Sequence, residues 1–152
     1  MEIERKYLIY TLPKHLEDYP FFLIEQGYLC TDPVVRIRKQ NDDYFLTYKS
    51  KGLMIREESN LPLTASAYAH LKKKVDGIII SKKRYLIPLP QDLKIELDVF
   101  NPPFEHLIMA EVEFPSEAAA NSFCPPPWFG KDVTFSEKYQ NSYLSNIKRR
   151  LP

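Results

Sequence analysis

Apolar and polar residues alternate along much of the chain, and this period-two pattern is typical of β-strands with one buried face. The pattern begins at once, because Glu2, Glu4 and Lys6 occupy every second position of the first predicted strand. The three side chains are therefore expected to face the same way. Gly27, within the second strand, predicts a bulge or a close backbone approach. The predicted strands span 2–10, 21–29, 34–38, 44–50, 53–61, 78–88, 93–100 and 107–114.

Helical patterns interrupt the strands at several points along the sequence. Thr64 and Ser116 can each cap a helix that follows them, and Gly77 favours an end to the first of these two helices. A basic tail over 148–150 suits the C-terminus of the last helix, where it complements the helix dipole. The predicted helices span 13–18, 64–74, 116–123 and 136–147.

This order of elements predicts a single domain over 1–152, of the α+β class and mainly β. We expect an antiparallel eight-stranded β-barrel, closed or nearly closed, with the helices packed outside it. The 152 residues, of which 44% are hydrophobic, are sufficient to bury a substantial core. A barrel of about eight strands encloses enough room for side chains or for one small ligand.

Charged residues in most of these strands are segregated by sign, which is unusual for a solvated sheet face. The basic positions are Arg36, Arg38, Lys49, Arg56, Lys82 and Arg84, and the acidic positions include Glu96, Asp98, Glu111 and Glu113. Because bulky aliphatic residues occupy the opposite face and helices are available to cover them, we expect the charged face to line the lumen. Burying so many charges is costly unless ions or a ligand complete the pairing. The lumen is therefore a predicted binding site, although alternation alone also fits a sheet with one solvated face.

The residue types in the predicted lumen indicate what it would bind. Arginine matches phosphate oxygens with paired hydrogen bonds, and lysine supplies a compact positive charge. Carboxylates two apart on a strand suit hard cations such as Mg²⁺ or Mn²⁺, which prefer oxygen ligands and often bind substrate phosphates as well. A metal-bound polyphosphate combines both requirements.

Composition argues against several other classes of function. Lysine and arginine number 21 against 20 aspartates and glutamates, so the net charge gives no basis for binding nucleic acid or a membrane surface. No apolar run approaches the length of about 18 residues that a membrane span needs, which favours a cytoplasmic protein. Cys30 and Cys124 lack partners at metal-ligand spacing, so neither a disulfide framework nor a zinc site is expected. The sequence leaves a homodimer open.

The same motifs resemble, in order along the chain, those of the CYTH superfamily, the triphosphate tunnel metalloenzymes. The opening Glu-x-Glu-x-Lys of Glu2, Glu4 and Lys6 is similar to the signature of that superfamily. The tail, with PPPWFG and the segment that follows it, is similar to short bacterial members that act on inorganic triphosphate. The resemblance implies an eight-stranded antiparallel tunnel that binds Mg²⁺ or Mn²⁺. The other matching segments are QGYL at 26–29, VRIR at 35–38, LTYKS at 46–50, KKRY at 82–85, IELDVF at 95–100 and AEVEF at 110–114.

The resemblance also implies roles for individual residues. Lys6 would either bind phosphate or act as a base oriented by Tyr28, whereas in the competing mechanism a metal held by Glu2 and Glu4 activates the attacking water. The phosphates would be bound by Arg36, Arg38, Lys49, Arg56, Lys82 and Arg84. One or two divalent ions would be held by Glu2, Glu4, Glu111 and Glu113, with Glu96 or Asp98 assisting.

The implied function is metal-dependent hydrolysis of inorganic triphosphate (tripolyphosphate) to pyrophosphate and phosphate, by in-line attack of water inside the tunnel. Nucleoside triphosphatase, thiamine triphosphatase and adenylate cyclase activities are alternatives within the superfamily. One departure is Asn60, which stands where the family usually has the second of two glutamates after Arg56. The loss of this carboxylate leaves a non-catalytic polyphosphate or nucleotide sensor as a further alternative.

Overall fold

The computed structural model describes residues 1–146, and within them nine strands form one antiparallel sheet. The order of strands across the sheet is β5-β1-β9-β8-β7-β2-β3-β4-β6. The predicted strands are confirmed to within a few residues at most ends, and one of them is divided in two. The strands are β1 (Glu2–Leu8), β2 (Phe21–Thr31), β3 (Val34–Gln40), β4 (Asp43–Lys49), β5 (Ile55–Arg56), β6 (Glu58–Pro62), β7 (Asp76–Pro88), β8 (Lys94–Phe100) and β9 (Ile108–Glu113).

The divided strand nearly closes the sheet into a barrel. The prediction of one strand over 53–61 is wrong, because the chain changes partner at Glu57. Before that residue, Arg56 of β5 pairs with Glu2 of β1, and after it, Glu58 of β6 pairs with Lys49 of β4. The two edges of the sheet are thus joined by consecutive short strands. The predicted barrel is confirmed, with nine strands in place of eight for this reason.

The principal hydrophobic core lies on the outer face of β8 and β9, as the alternation in those strands predicts. Leu97, Ala110 and Val112 are fully buried there. They are covered by helix α2 (Glu117–Ser122) and by aromatic side chains that include Trp128. The predicted cap of α2 is present, since the backbone N–H of Ala119 donates to Ser116 Oγ at 3.1 Å.

Helix α1 (Ala65–Lys72) lies against β3 and β4, and its predicted cap is also present. The backbone N–H of Ala67 donates to Thr64 Oγ1 at 3.1 Å. Tyr68 on this helix is buried and its hydroxyl donates to Glu25 Oε1 of β2 at 2.8 Å. None of the helices within residues 1–146 is both long and apolar enough to cross a membrane.

The bulge predicted at Gly27 is confirmed, and side chains also pack closely against this glycine. The pairing of β2 with β7 shifts register between Gln26 and Tyr28, which is a bulge. A Cβ atom at Gly27 would lie only 2.7 Å from Cγ1 of Val75 and 2.8 Å from Cδ1 of Ile79. Glycine therefore permits the close packing of this strand against Val75, which precedes β7, and against Ile79 within β7.

The C-terminal segment differs from its prediction. The single helix expected over 136–147 is instead a 3-10 turn (Glu137–Tyr139), an extended Gln140 and a short helix α3 (Asn141–Ser145). Residue 147 of that prediction and the basic tail over 148–150 lie outside the described residues. The predicted helix over 13–18 is likewise reduced to a 3-10 turn (Leu16–Asp18).

A second apolar cluster occupies part of the barrel interior. Ile80, Phe100 and Met109 each lie two residues from a charged luminal position of their strand, so they share its face. Leu144 of α3 packs against this cluster. The expectation that the helices pack outside the barrel is therefore wrong for α3. This helix and the cluster together fill one region of the lumen, and the charged residues surround what remains.

Candidate functional site

The remaining lumen is a cavity of about 490 Å³, and its wall is largely charged. This arrangement confirms that the charged face of the sheet points inward. The predicted site residues that line the cavity are Glu2, Glu4, Lys6, Tyr28, Arg36, Arg38, Lys49, Arg56, Arg84, Glu96, Glu111 and Glu113. Other lining residues include Phe22, Gln40, Glu58, Asn60, Lys94, Gln140 and Asn141.

Strand β1 places three charges in this cavity because its alternate side chains point inward. Glu2, Glu4 and Lys6 are 7%, 7% and 8% exposed. Glu4 lies opposite Glu113 in the neighbouring β9, and Lys6 lies opposite Glu111. The pairing of β1 with β9 thus brings the first and last acidic strands together, which creates a surplus of carboxylates on this side of the lumen.

Burial and mutual repulsion disfavour the ionised form of Glu4 and Glu113. For Glu111, although burial opposes it, the attraction of Lys6 and Arg84 holds the pKa well below its usual range. Burial raises the pKa of Glu4 to about 8, and repulsion from Glu111 adds to the effect. Burial, followed by repulsion from Glu2 and Glu96, also raises the pKa of Glu113. The protein alone therefore does not balance the charges that Glu4 and Glu113 carry when they are ionised.

Two basic residues, Lys49 of β4 and Arg56 of β5, approach these carboxylates at the place where the barrel closes. Lys49 Nζ lies 2.9 Å and 3.0 Å from the two carboxylate oxygens of Glu2. Arg56 Nη2 lies 3.9 Å from oxygens of both Glu2 and Glu4. These side chains occupy the carboxylates in the present conformation, and among the described residues no group of three or more Asp, Glu, His or Cys side chains is arranged to hold a metal ion.

The chemistry of the acidic side nevertheless fits a hard divalent cation. Its donors are all carboxylate oxygens, the type of ligand that Mg²⁺ and Mn²⁺ prefer. A cation held by these carboxylates would relieve the repulsion from Glu111 that, after burial, raises the pKa of Glu4. Binding a cation through Glu2 and Glu4 would require Lys49 to leave Glu2 and Arg56 to move away from both carboxylates.

Lys82 and Asp98 form a buried ion pair and do not line the cavity. Lys82 Nζ lies 2.7 Å from Asp98 Oδ2, and neither side chain is exposed. Lys82 also donates to Oδ1 of Asn141 on α3 at 3.2 Å. Arg84 binds the same aspartate through two hydrogen bonds of 2.7 and 2.9 Å. The structure thus places Lys82 and Asp98, which the resemblance assigns to phosphate and metal, in the protein wall.

Arg84 is more extensively neutralised than any other luminal arginine within residues 1–146. Besides Asp98, its guanidinium lies 2.9 Å from Glu96 and 3.5 Å from Glu111. Although burial opposes it, the attraction of Asp98 and Glu96 holds the pKa of Arg84 well above its usual range. One face of Arg84 reaches the cavity, but most of its charge is already balanced.

Arg36 and Arg38 differ from Arg84 because neither has a carboxylate at ion-pair distance in the part of the chain described. Arg36 is buried, and its Nε has no hydrogen-bond partner there. Arg38 binds only a neutral group, since its Nε and Nη2 donate to Oε1 of Gln26 at 2.9 and 2.7 Å. Burial, with repulsion from Arg36 and Arg84, lowers the pKa of Arg38 to about 9. The side of the cavity formed by β3 therefore carries unbalanced positive charge.

Lys6 and Tyr28 are not in hydrogen-bond contact in the described structure. Lys6 Nζ donates to the backbone oxygen of Tyr139 at 3.3 Å and lies 3.5 Å from Glu111. Tyr28 packs in the luminal apolar cluster, although its side chain also reaches the cavity. The base oriented by a tyrosine stays a prediction.

Several residues around the site were given no definite role by the sequence. Glu58 shares a face with Arg56 and stands where the family has the first of two glutamates, and these were the signals for it. Asn60 donates to Glu58 at 3.2 Å and accepts from Thr47 at 2.6 Å, so it is held in the cavity wall. Gln26 carries no charge, and only its membership of the QGYL segment drew attention to it.

Comparisons with known proteins identify relatives of this chain. The chain is 40% identical to an inorganic triphosphatase from Nitrosomonas europaea over 148 residues, which cover 95% of this chain and 96% of that protein. It is 35% identical to an inorganic triphosphatase from Acetivibrio thermocellus, over 80% of this chain and 79% of that protein. No family model matches the chain.

Solved structures show the same architecture. A crystal structure of the inorganic triphosphatase NE1496 superimposes with a TM-score of 0.71 at 38% identity, covering 95% of this chain and 94% of that one. HpAC1 from Hippeastrum, described as having a dominant triphosphatase activity, superimposes with a TM-score of 0.64 at 16% identity, over 80% of this chain and 83% of that one. At this lower identity the similarity concerns the fold alone.

Proposed function

The chain belongs to the CYTH superfamily of triphosphate tunnel metalloenzymes, among the inorganic triphosphatases, and on this premise we propose that it hydrolyses inorganic triphosphate to pyrophosphate and phosphate. The observation that carries the proposal is the division of the cavity wall by charge. Unbalanced arginines of β3 occupy one side, and a surplus of carboxylates from β1 and β9 occupies the other. A phosphate chain bound to a cation complements both sides at once.

We propose Mg²⁺ or Mn²⁺ as the cofactor. Glu2, Glu4, Glu111 and Glu113 would hold it, and Glu96 lies in the same wall to assist. Once bound, the cation would neutralise charge on the phosphoryl oxygens and lower the pKa of a bound water. Asp98 is a weaker candidate ligand than the sequence suggested, since it is fully committed to Lys82 and Arg84.

The basic residues would bind and orient the phosphate chain. Arg36 and Arg38 need break no ion pair to do so, because neither has a carboxylate partner in residues 1–146. Lys49 and Arg56 would exchange carboxylate for phosphate oxygens. Holding the triphosphate in line with the attacking water supplies much of the rate enhancement in phosphoryl transfer, since positioning and charge neutralisation dominate that chemistry.

Lys6 would act as a phosphate ligand in this scheme. Its ammonium lies between Glu111 and the backbone oxygen of Tyr139 at the wall of the cavity, and of its three N–H donors the one that neither of these groups uses is available to a phosphate oxygen. Lys82 would instead hold the wall together through Asp98 and Asn141. We also propose that the protein acts in the cytoplasm on a small-molecule substrate, without nucleic acid or membrane partners.

The test is phosphate release from inorganic triphosphate with Mg²⁺ or Mn²⁺ at neutral and alkaline pH, by the native protein and by Glu111→Gln. We expect turnover by the native protein and its loss in the variant, which replaces a carboxylate by a group of the same shape. ATP, thiamine triphosphate and other triphosphates measured alongside separate the alternative substrates, because cyclisation of ATP releases pyrophosphate and no phosphate. Tight triphosphate binding without any turnover would instead favour a sensor, the alternative that Asn60 raised.

A further inference from the structure

Gln26 lies behind Arg38 and fixes the orientation of its guanidinium. The two residues are direct partners across β2 and β3. Gln26 is fully buried, and its Oε1 accepts from both Nε and Nη2 of Arg38, at 2.9 and 2.7 Å. Two donors that converge on one oxygen restrict rotation of the guanidinium plane. The remaining nitrogen, Nη1, is not used in any hydrogen bond within the described residues.

The partner of Arg38 is neutral, whereas the neighbouring Arg84 is held in a similar way by carboxylates. Asp98 accepts two hydrogen bonds from Arg84 with distances of 2.7 and 2.9 Å. Both arginines are thus oriented by two hydrogen bonds from behind. Only Arg84 loses its net positive charge to the groups that orient it.

If only hydrogen bonding and charge within the protein are considered, a glutamate at position 26 would be a better partner for Arg38. Because Oε1 of Gln26 must face the two donors of Arg38, its Nε2 points elsewhere and is buried without a hydrogen-bond partner in residues 1–146. An unsatisfied buried donor is destabilising. A carboxylate has nearly the same shape, carries no such donor and would form an ion pair. Glutamine at this position therefore carries a stability cost that glutamate would avoid, and it leaves the positive charge of Arg38 unbalanced.

We propose that Gln26 is a positioning residue which orients Arg38 without neutralising it, so that the full charge of the guanidinium is available to the triphosphate. This inference rests on the proposed function and specifies how one of its phosphate ligands is prepared. Gln26 does not line the cavity itself and acts only through Arg38.

The experiment compares Gln26→Glu and Gln26→Met with the native protein. Triphosphate binding is measured by calorimetry without added metal, KM and kcat are measured with Mg²⁺, and thermal unfolding is followed for each protein. In Gln26→Glu we expect a Tm at or above the native value, affinity weakened by about tenfold or more, and a rise in KM that exceeds the change in kcat. In Gln26→Met we expect a smaller loss of affinity, because the charge of Arg38 is kept and only its orientation is lost.

Gln40→Glu is the matched control, since it adds the same charge to the wall of the same cavity from the next luminal position after Arg38 on β3. An equal loss of affinity in Gln40→Glu, or native affinity and KM in Gln26→Glu, would overturn the inference. A purely structural role for Gln26 predicts that glutamate restores all that methionine loses. Failure of the native protein to bind or hydrolyse triphosphate would contradict the proposed function itself, so the two failures are distinguishable.

Discussion

At the scale of single residues, the partner of each luminal arginine indicates its role. Arg84 is surrounded by carboxylates, whereas Arg36 and Arg38 face the cavity with no carboxylate partner in the described structure. The sequence predicted all of these side chains to face inward, because they alternate with aliphatic residues. The sequence did not distinguish arginines with carboxylate partners from arginines without them, because ion pairing depends on which strands become neighbours in the barrel.

This division predicts opposite effects of the same substitution at two positions. Arg84→Met removes a partner from the fully buried Asp98, so we expect the free energy of unfolding to fall by about 3–5 kcal/mol. Arg36→Met removes a buried charge that has no ion-pair partner in residues 1–146, so we expect unchanged or higher stability and at least about tenfold weaker triphosphate binding. Urea unfolding and calorimetry of both variants measure these quantities. Equal stability losses in the two variants would refute the distinction.

At the scale of the elements, β1 is fixed in the barrel by the segment that follows the proline-rich loop. Arg5 Nη2 lies 2.7 Å from Asp132, whose other oxygen accepts from the N–H and hydroxyl of Thr134 at 2.9 and 2.6 Å. The hydroxyl of Thr134 in turn accepts from the backbone N–H of Lys6 at 3.0 Å. The backbone of the luminal Lys6 thus depends on Asp132.

The Asp132 tether predicts a stability difference that depends on pH. Although partial burial opposes it, hydrogen bonds from Thr134 and Arg5 lower the pKa of Asp132 below its ordinary value of 3.8. A carboxyl with a depressed pKa stabilises the fold above its ordinary pKa, and this contribution is lost as the pH falls through the folded-state pKa. We expect Asp132→Asn to reduce the free energy of unfolding at neutral pH by less than about 1 kcal/mol, since the carboxylate is partly exposed, and the difference to shrink in acid.

Denaturant unfolding of the native protein and Asp132→Asn at several pH values measures this effect. Asp32→Asn is a suitable control, because the pair of Asp32 with Lys51 has side-chain exposures of 64% and 81%. We expect the control to show no pH-dependent difference from the native protein. A difference for Asp132→Asn that grows in acid would contradict the assigned direction of the pKa.

The bulge of β2 predicts a second effect at this scale. Gly27→Ala would bring a methyl group to 2.7 Å from Val75 Cγ1, which is closer than van der Waals contact allows. We expect a loss of about 1–3 kcal/mol in the free energy of unfolding, because Val75 is stiff about χ1 and cannot withdraw freely. Thermal or urea unfolding measures the loss. Adding Val75→Ala should recover part of it, whereas equal stability of Gly27→Ala and the native protein would show that the packing is not tight.

Alternation in the sequence predicted the strands well and their divisions poorly. No proline or glycine interrupts 53–61, so the sequence contains no sign that the chain leaves β1 and joins β4 at Glu57. That change is decided by barrel closure, which is a tertiary effect. The prediction of one helix over 136–147 failed for a related reason. Gln140 is extended at a point where the sequence has no proline or glycine to mark a break.

At the scale of the whole molecule, the sequence predicted a charged tunnel but not the extent of it. Sign segregation among the strands indicated that the charges face inward, and the structure confirms this. Ile80, Phe100 and Met109 share that face and close part of the lumen with α3. They escaped notice because an apolar residue in a barrel strand can face either the lumen or the outer core.

The central claim is that the two oppositely charged sides of one cavity bind and cleave inorganic triphosphate. It is tested most directly by following inorganic triphosphate by phosphorus NMR with the native protein and Mg²⁺ or Mn²⁺, beside folded Arg36→Met and Glu111→Gln variants. We expect equimolar pyrophosphate and phosphate from the native protein, and strongly reduced conversion by a variant from either side of the cavity. Unchanged triphosphate with the folded native protein, or native rates in both variants, would contradict the claim.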